Sequence, residues 1–476
     1  MRIDSGSSTQ RVHQPAPEPK PPEAKPPEAT NTAAQPRTVR DGFDGATAAA
    51  AGGAAGAAAV GKAAAAGVAA AAKTPPPPAV PQAALDKLPA ADKARVQELA
   101  NGKEGATSQR NLGTLVDSAG FKALPAESQA KALQTFLASP PSSETSTRHL
   151  TTLVNSPNFR ALPAADQAKA LDVFKNTDVN GRQNLIDLTN RQVNGKSALL
   201  DKDKNGNTLL SSLHSMATGP ISGDFAKNGV TRADMLSTVM QEAAKPGQIN
   251  QDGHNTCTVT SMQYMLNQSN PAEYVRIMQG LTSPSGQVQL RNGATLTREA
   301  DAIAPDSSTS RSATERLFQS AMMEYSNGGH AYSNVTDKST GNDKILGIFD
   351  NKKEYQGLYK DQEERGMEAL FGRDVNVYSG HLNFTDDKQD IVNALSSRNN
   401  QRALMDLSWG TGGHAVVFEK IENGRVYFRN PWGPTGDANG TNYGSPPRRL
   451  EDNANRIESM SIEDFKKHVR QVYLPN

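Results

Sequence analysis

The chain has 476 residues, and its 51 basic and 50 acidic side chains give a formal net charge of +1. This balance argues against nucleic acid and anionic membranes as partners, because binding to either needs an excess of positive charge. Cys257 is the single cysteine, which excludes an intramolecular disulfide and a zinc site built from several cysteines.

Residues 1–81 are rich in Pro, Ala, Gly and Ser and lack the apolar core of a Sec signal peptide. Such a composition cannot offset its conformational entropy by burying apolar surface, so the segment is predicted to be disordered. The stretch Ala46–Ala72 is long enough to cross a bilayer, but it has few large apolar residues and contains Lys62. We therefore expect no membrane partner, and either a non-Sec route out of the cell or a cytoplasmic location.

An internal repeat follows the tail. The segment Leu115–Phe136 recurs as Leu153–Phe174, 38 residues further on, and Lys87–Ala100 is an earlier partial copy. Each copy has a proline followed by apolar residues at helical spacing, and a second short helical segment precedes each full copy. The pattern predicts an α-helical repeat domain over 82–215 and a connecting segment over 216–244. Because tandem helical repeats usually present binding surfaces, we expect a protein partner for them.

A weak calcium motif lies near the end of the repeats. Asp201, Asp203 and Asn205, followed by Gly206, place oxygen side chains as in the first half of a calcium loop. Its twelfth position is Ser212, where the EF-hand pattern needs a bidentate Glu. A solvated turn between helices explains the same residues, since Asn-Gly is a turn dipeptide. Calcium is therefore a candidate ligand, while no cofactor is required.

Cys257 follows a polar, glycine-containing loop. The apolar residues after it recur at helical spacing: Val259, Met262, Tyr264, Met265 and Leu266. The sequence therefore predicts Cys257 at the N-terminus of a helix. Unpaired backbone N–H groups and the helix dipole at that position are expected to stabilise a thiolate and to lower the pKa of the thiol.

A β-hairpin is predicted to carry the general base. Two β-rich runs are separated by Glu422-Asn423-Gly424, a strong hairpin signal. His414 opens the first run and Asn430 closes the second, so the hairpin brings both to one edge of the sheet. The Asn430 side-chain carbonyl can then accept a hydrogen bond from one ring nitrogen of His414 and leave the other to face Cys257.

The same region offers groups for the oxyanion and the substrate. The Gln251 side-chain amide and the Cys257 backbone N–H are the predicted oxyanion donors. His330, in Gly-Gly-His-Ala-Tyr-Ser, is an alternative base, but no hairpin ending in Asn-Pro-Trp follows it. His254 is expected to be a loop residue near the nucleophile. The candidates for lining the substrate cleft are Trp409, Gly413 and Trp432.

The candidate residues follow one another in the order Gln251, Cys257, His414, Asn430. The first two are 6 residues apart and the last two are 16 residues apart. This order and these spacings resemble the papain-like cysteine peptidase superfamily. The segments GHAVVFEK, RNPWG and MSIEDFKKHV are most similar to calpain-type catalytic domains. The resemblance covers 245–476. It implies an α+β, two-lobed domain: a helical lobe carries the cysteine, a β-rich lobe carries His and Asn, and a protein or peptide substrate lies between them. Calcium regulation is a further implication, although the ligands cannot be matched here.

Two departures from the family bear on function. Thr258 stands where the family usually has Trp, and Asn255-Thr256 replaces the usual Gly-Ser or Gly-Asp. The expected activity is peptide-bond cleavage through a Cys-His-Asn triad and a thioester. Deamidation or transglutamination on the same scaffold, and an inactive interaction protein, are the alternatives. The layout of tail, helical repeats and hydrolase is typical of an exported bacterial effector or toxin.

Overall fold

The computed structural model describes residues 76–475 except 307, 309, 329, 346–348, 381–384, 398–400, 411 and 433–445. The described residues lie within one compact unit, Thr74–Asn476. The predicted disordered tail, apart from residues 76–81, lies outside them. The described chain is a mixed α+β protein in which helices dominate the first part and an antiparallel sheet the last.

The repeat region is entirely helical up to Asn190. Its helices are α1 Gln82–Leu85, α2 Ala90–Ala100, α3 Ala106–Asp117, α4 Ala119–Lys122, α5 Ala126–Ala138, α6 Glu144–Asn155, α7 Pro157–Arg160, α8 Ala164–Lys175 and α9 Val179–Asn190. The two full sequence copies form equivalent units, α3–α4–α5 and α6–α7–α8. In each, a serine side chain caps the short middle helix: Ser118 accepts from Phe121 N–H and Ser156 from Phe159 N–H.

Stacking of the repeats follows from their apolar faces. Helix α3 packs on α6, α6 on α9, and α5 on α8. Matching positions of the two copies are buried in the same core, as Leu115 with Leu153 and Phe121 with Phe159 illustrate. Each unit therefore covers the apolar face of its neighbour, as expected for tandem repeats.

The connecting segment is also helical. The short strands β1 Gln192–Val193 and β2 Lys196–Ser197, a 3₁₀ turn at Ala198–Leu200 and helix α10 Leu209–Thr218 precede it, and α10 crosses the predicted boundary at 215. Its own helices are α11 Gly223–Lys227 and α12 Arg232–Ala244. Helix α12 packs on α9, and α10 packs on both α8 and the later helix Pro271–Thr282. The contacts thus run without interruption across the predicted boundaries at 215 and 244, and those domain bounds stay a prediction.

The nucleophile region is a group of helices with small strands between them. Its elements are α13 Cys257–Ser269, α14 Pro271–Thr282, β3 Gln287–Gln289, β4 Thr295–Thr297, α15 Ala313–Asn327, β5 Ala331–Ser333, β6 Lys338–Ile345, β7 Phe349–Tyr355 and α16 Lys360–Phe371. Helix α13 contacts α14, α15 and α16. It is therefore buried on most of its circumference, and its small polar residues lie inside with the apolar ones.

A seven-stranded antiparallel sheet forms the last part of the chain. Its elements, with two helices, are β8 Val375–Ser379, α17 Thr385–Ser396, β9 Ala403–Trp409, β10 Gly412–Glu422, β11 Arg425–Arg429, β12 Arg449–Asp452, β13 Ile457–Ser461, α18 Ile462–His468 and β14 Val469–Pro475. The strand order is β12-β13-β11-β10-β9-β14-β8. The predicted hairpin is β10–β11, and Asn423 and Gly424 make its turn with φ of 51° and 72°.

The two faces of the sheet pack against different helices because side chains alternate along a strand. Ala415 and Val417 of β10 join the core that contains α13. Val416 and Phe418 of the same strand join a second core, which includes residues of α17 and α18. Within the described ranges, no helix is long and apolar enough to cross a membrane.

Candidate active site

Cys257 is the first residue of α13, as the sequence predicts. Its side chain is half-buried. The preceding residue, Thr256, makes no side-chain cap for the helix, and its hydroxyl donates instead to Gln319 Oε1 at 3.0 Å. The thiol therefore lies at an uncapped helix N-terminus, where backbone N–H groups have no partner within the helix.

The helix start packs directly on the strand that carries His414. Helix α13 contacts β10, and the Ala415 backbone N–H lies close enough to the Cys257 thiol to lower its pKa. One turn further along α13, the Ser261 hydroxyl donates to the Ala415 carbonyl oxygen at 3.2 Å. Both contacts involve the residue that follows His414, so helix and sheet bring the predicted nucleophile and the predicted base to one junction.

His414 and Asn430 make the predicted hydrogen bond. The distance from His414 Nε2 to Asn430 Oδ1 is 2.9 Å, and both side chains are buried. Asn430 directly follows β11, and the Trp432 backbone N–H also donates to its Oδ1, at 3.1 Å. Because Oδ1 only accepts, Nε2 carries the ring proton and Nδ1 is left as the basic nitrogen.

Two indole rings enclose the imidazole. The ring centroid of His414 lies 4.8 Å from that of Trp409 and 4.4 Å from that of Trp432. Gly413 lies beside them on β10, and a Cβ there would be 2.9 Å from both Arg470 Nη1 and Asp406 Oδ1. All three predicted cleft residues therefore lie around His414, and the close approach of Arg470 and Asp406 explains the glycine.

Gln251 is held in the loop before α13. Its side-chain Nε2 donates to the His254 carbonyl oxygen at 2.6 Å, and its backbone N–H donates to the Pro431 carbonyl oxygen at 3.0 Å. The second bond ties the predicted oxyanion donor to the segment between Asn430 and Trp432. An Asn or Gln amide nitrogen carries two hydrogens, and the bond to His254 accounts for one of those on Gln251 Nε2.

The protonation states differ from the sequence-based expectation. A helix N-terminus predicts a lowered pKa for the thiol, but burial raises the pKa of Cys257 to about 11. The carboxyl groups of Glu363 and Asp406 act in the same direction, because a nearby negative charge disfavours a thiolate. Burial also lowers the pKa of His414 to about 4. The free site thus holds a neutral thiol and a neutral imidazole.

The two carboxyl groups near the thiol were missed in the sequence. The Thr258 hydroxyl donates to Glu363 Oε1 at 2.8 Å and so holds a carboxyl group of α16 beside the residue after Cys257. Burial raises the pKa of Glu363 to about 7 and that of Asp406 to about 6. Thr258 was a visible departure, but its partner lies 105 residues away along the chain, and no local pattern predicts that contact.

No family model, curated protein or solved structure matches this chain. The resemblance to papain-like peptidases therefore stays a prediction from the sequence motifs.

The two other histidines that the sequence singled out, His254 and His330, have different contacts. His330 precedes β5, and its Nδ1 lies 3.1 Å from the Asn327 carbonyl oxygen, with its ring against Tyr355. The structure therefore does not place it against Asn430. His254 is buried, and its Nε2 lies 3.1 Å from the Asn334 carbonyl oxygen, which anchors the loop before the nucleophile.

The candidate calcium residues have internal partners. Asp201 Oδ2 accepts from the Ala272 backbone N–H at 3.1 Å, near the start of α14. Asp203 Oδ1 accepts from the backbone N–H groups of Asn205 and Asn207 at 2.8 and 2.9 Å, and so closes the turn. In the part of the chain that the structure describes, no group of three or more His, Cys, Asp or Glu residues is arranged to hold a metal ion. Calcium binding stays a prediction.

Proposed function

We propose that residues 245–476 form a two-lobed papain-like domain of calpain type and that the chain is a cysteine endopeptidase. The helices α13–α16 correspond to the left lobe and the seven-stranded sheet to the right lobe. The observation that carries the proposal is the 2.9 Å contact between His414 Nε2 and Asn430 Oδ1, on the strand against which the helix of Cys257 packs through Ser261 and Ala415.

The arrangement supports the following steps. His414 Nδ1 takes the thiol proton as Cys257 Sγ attacks the carbonyl carbon of a peptide bond. The negative charge on the carbonyl oxygen is stabilised by the Cys257 backbone N–H and by Gln251 Nε2. The imidazolium then donates its Nδ1 proton to the leaving amine. In the second half, His414 takes a proton from water, which attacks the thioester and releases the acid and the thiol.

The neutral resting state sets a requirement for this chemistry. With thiol and imidazole pKa values of about 11 and about 4, the thiolate–imidazolium pair is a minor species of the free protein at pH 7. The proton transfer must therefore accompany substrate attack, or a rearrangement must bring the two pKa values together. Calcium and a protein partner for the helical repeats are our candidates for such an activator.

The test is cleavage of an unstructured protein, followed by mass spectrometry of the new termini. The wild-type protein is assayed once with calcium and once with EDTA, and we expect new termini under at least one of these conditions. Under the same condition, we expect Cys257→Ala and His414→Ala to lower the cleavage rate by at least about a thousandfold. His468→Ala is the matched control. His468 is the last residue of α18, and its ring contacts the Ser408 backbone and not Asn430. Equal cleavage by Cys257→Ala and wild type would contradict the proposal.

A second activity is favoured by Thr258. Its hydrogen bond to Glu363 replaces the indole that the family usually places beside the nucleophile, so the surroundings of the acyl group differ. Deamidation or transglutamination of protein glutamines by the same thioester chemistry is therefore our second candidate. Incubation with an amine donor separates the two, because modified but uncleaved protein supports acyl transfer.

The third candidate is an interaction protein without activity. The raised pKa of the Cys257 thiol is the observation that favours it. A biological effect that persists in Cys257→Ala would support this alternative, and we then expect the helical repeats to carry the binding. For all three candidate functions, we propose that the protein is a bacterial effector or toxin that leaves the cell by a non-Sec route. A cytoplasmic location is the alternative.

A further inference from the structure

Glu458 is a buried carboxyl group that contacts both Arg448 and Asn430 of the candidate triad. It lies on β13, and its Oε2 is 2.7 Å from Arg448 Nε, with both side chains fully excluded from solvent. Its other oxygen, Oε1, accepts from Asn430 Nδ2 at 3.2 Å. The Asn430 amide is therefore bonded on one side to a carboxylate and on the other to His414 and the Trp432 N–H.

These neighbours decide which way the amide points. Rotation of an Asn amide by half a turn exchanges Oδ1 and Nδ2 at little cost unless the neighbours discriminate between them. The Glu458 carboxylate accepts only, and the Trp432 backbone N–H donates only. In a reversed Asn430, Oδ1 would face the Glu458 carboxylate and Nδ2 would face the Trp432 N–H. Because the site excludes water, each of these unpaired polar contacts would raise the free energy of the folded protein.

We propose that Glu458 is a positioning residue that, together with Arg448, fixes the Asn430 amide and so selects the Nε2–H tautomer of His414. The inference rests on the proposed function, because this tautomer is the one that leaves Nδ1 free as a base for Cys257. The same ion pair also supports the aromatic wall. The Arg448 guanidinium lies 4.4 Å above the Trp409 ring, and Trp409 contacts His414.

The test uses Glu458→Gln, which keeps the shape and removes the charge. Ring ¹⁵N spectra of the full-length chain, labelled at histidine, report the tautomer, and His414→Ala assigns the resonance. We expect the Nε2–H form in the wild type and a mixture of tautomers in Glu458→Gln. For peptide cleavage we expect kcat to fall about tenfold or more with KM unchanged, as for other residues that orient a reacting group. Glu458→Asp should restore the wild-type tautomer.

Glu451→Gln is the matched control. It removes a Glu–Arg contact of the same sheet, between Glu451 and Arg449, that does not touch Asn430. We expect its His414 spectrum and its kcat to equal those of the wild type. If Glu458→Gln fails to fold, the double variant Glu458→Gln/Arg448→Met removes both charges together, and the same spectrum is recorded.

The outcomes separate the two proposals. An unchanged His414 tautomer in folded Glu458→Gln overturns the role of Glu458, whether or not the wild type cleaves peptides. A changed tautomer supports it, even with a wild type that cleaves nothing, and in that case only the proposed function fails.

Discussion

At Cys257, two opposing influences act on the same sulfur atom. The helix N-terminus favours the thiolate, whereas burial and the carboxyl groups of Glu363 and Asp406 favour the thiol. Burial is the largest of these influences and raises the pKa of the thiol to about 11. Thr258 is part of the cause, because its hydroxyl holds the Glu363 carboxyl beside the start of α13.

Replacement of Glu363 by Gln should lower the pKa of the Cys257 thiol. The amide can keep bonds to Thr258 and Tyr473 but carries no charge. Since the pKa of Glu363 is about 7, the difference from wild type should be absent below pH 6 and present above pH 8. We expect alkylation of the single cysteine by iodoacetamide at pH 8.5 to be faster by about threefold to tenfold.

Asp361→Asn is the control for that measurement. Asp361 lies in the first turn of the same helix, α16, but is exposed to solvent. Water screens its charge, so we expect its alkylation rates to match the wild type. Equal rates for Glu363→Gln and wild type above pH 8 would show that the charge of Glu363 does not raise the thiol pKa.

At the scale of the elements, helix α4 packs closely against the backbone of helix α6 at Gly120. A Cβ at Gly120 in α4 would overlap the Val154 carbonyl oxygen of α6, and the Gly120 N–H donates to Asn155 Oδ1 at 2.6 Å. We therefore expect Gly120→Ala to reduce the free energy of unfolding by about 1–3 kcal/mol. Urea denaturation followed by circular dichroism measures the change.

Gly113 supplies the matched control for that substitution. It lies inside α3, and a Cβ there would meet only Pro78 Cβ, at an ordinary 3.6 Å. Because alanine favours a helix over glycine, Gly113→Ala should raise the free energy of unfolding by about 0.5–1 kcal/mol. Equal effects of the two substitutions would contradict the close approach of α4 and α6.

At the scale of the whole molecule, two buried carboxyl groups join the helices around α13. Glu242 of α12 accepts from Tyr274 of α14 and from Thr314 of α15, and Glu315 Oε1 accepts from the Asn250 backbone N–H at 2.8 Å. Burial raises the pKa of both groups, and the two charges repel each other. The folded protein therefore holds protons that the unfolded chain releases.

These raised pKa values make the fold less stable as the pH rises. A carboxyl pKa that is raised by folding stabilises the fold most below its unfolded value of about 4.5, and the contribution is lost as the pH rises through the folded value. Glu363 and Asp406, with pKa values of about 7 and about 6, act in the same direction. We therefore expect the thermal unfolding midpoint to fall between pH 6 and pH 9.

Glu242→Gln should reduce that fall. Most partners of Glu242 are hydroxyl groups, which can turn to accept from an amide. The substitution removes one of the two repelling charges, so we expect a gain on the order of 1–3 kcal/mol over wild type at pH 9. The exposed Glu144→Gln is the control. A slope between pH 6 and pH 9 that is the same in all three proteins would rule out this coupling.

Much of the candidate site follows from local sequence. The Asn423-Gly424 turn predicts the hairpin, and the hairpin places His414 and Asn430 together because both lie at the ends of paired strands. Cys257 begins its helix as the apolar spacing predicts, and the repeat of Leu115–Phe136 appears as equivalent helical units. The prediction of a two-lobed papain-like domain and that of calcium binding remain untested.

The sequence by itself determined features that depend on neighbours a few residues apart: helix starts, the hairpin turn and the repeat. Only the tertiary structure decided the electrostatics of the site. Glu363 meets Thr258 across 105 residues, and Glu458 meets Asn430 across 28, so no local spacing predicts either contact. The direction of the Cys257 pKa shift was wrong in the sequence analysis for the same reason, since desolvation depends on everything that packs around the thiol.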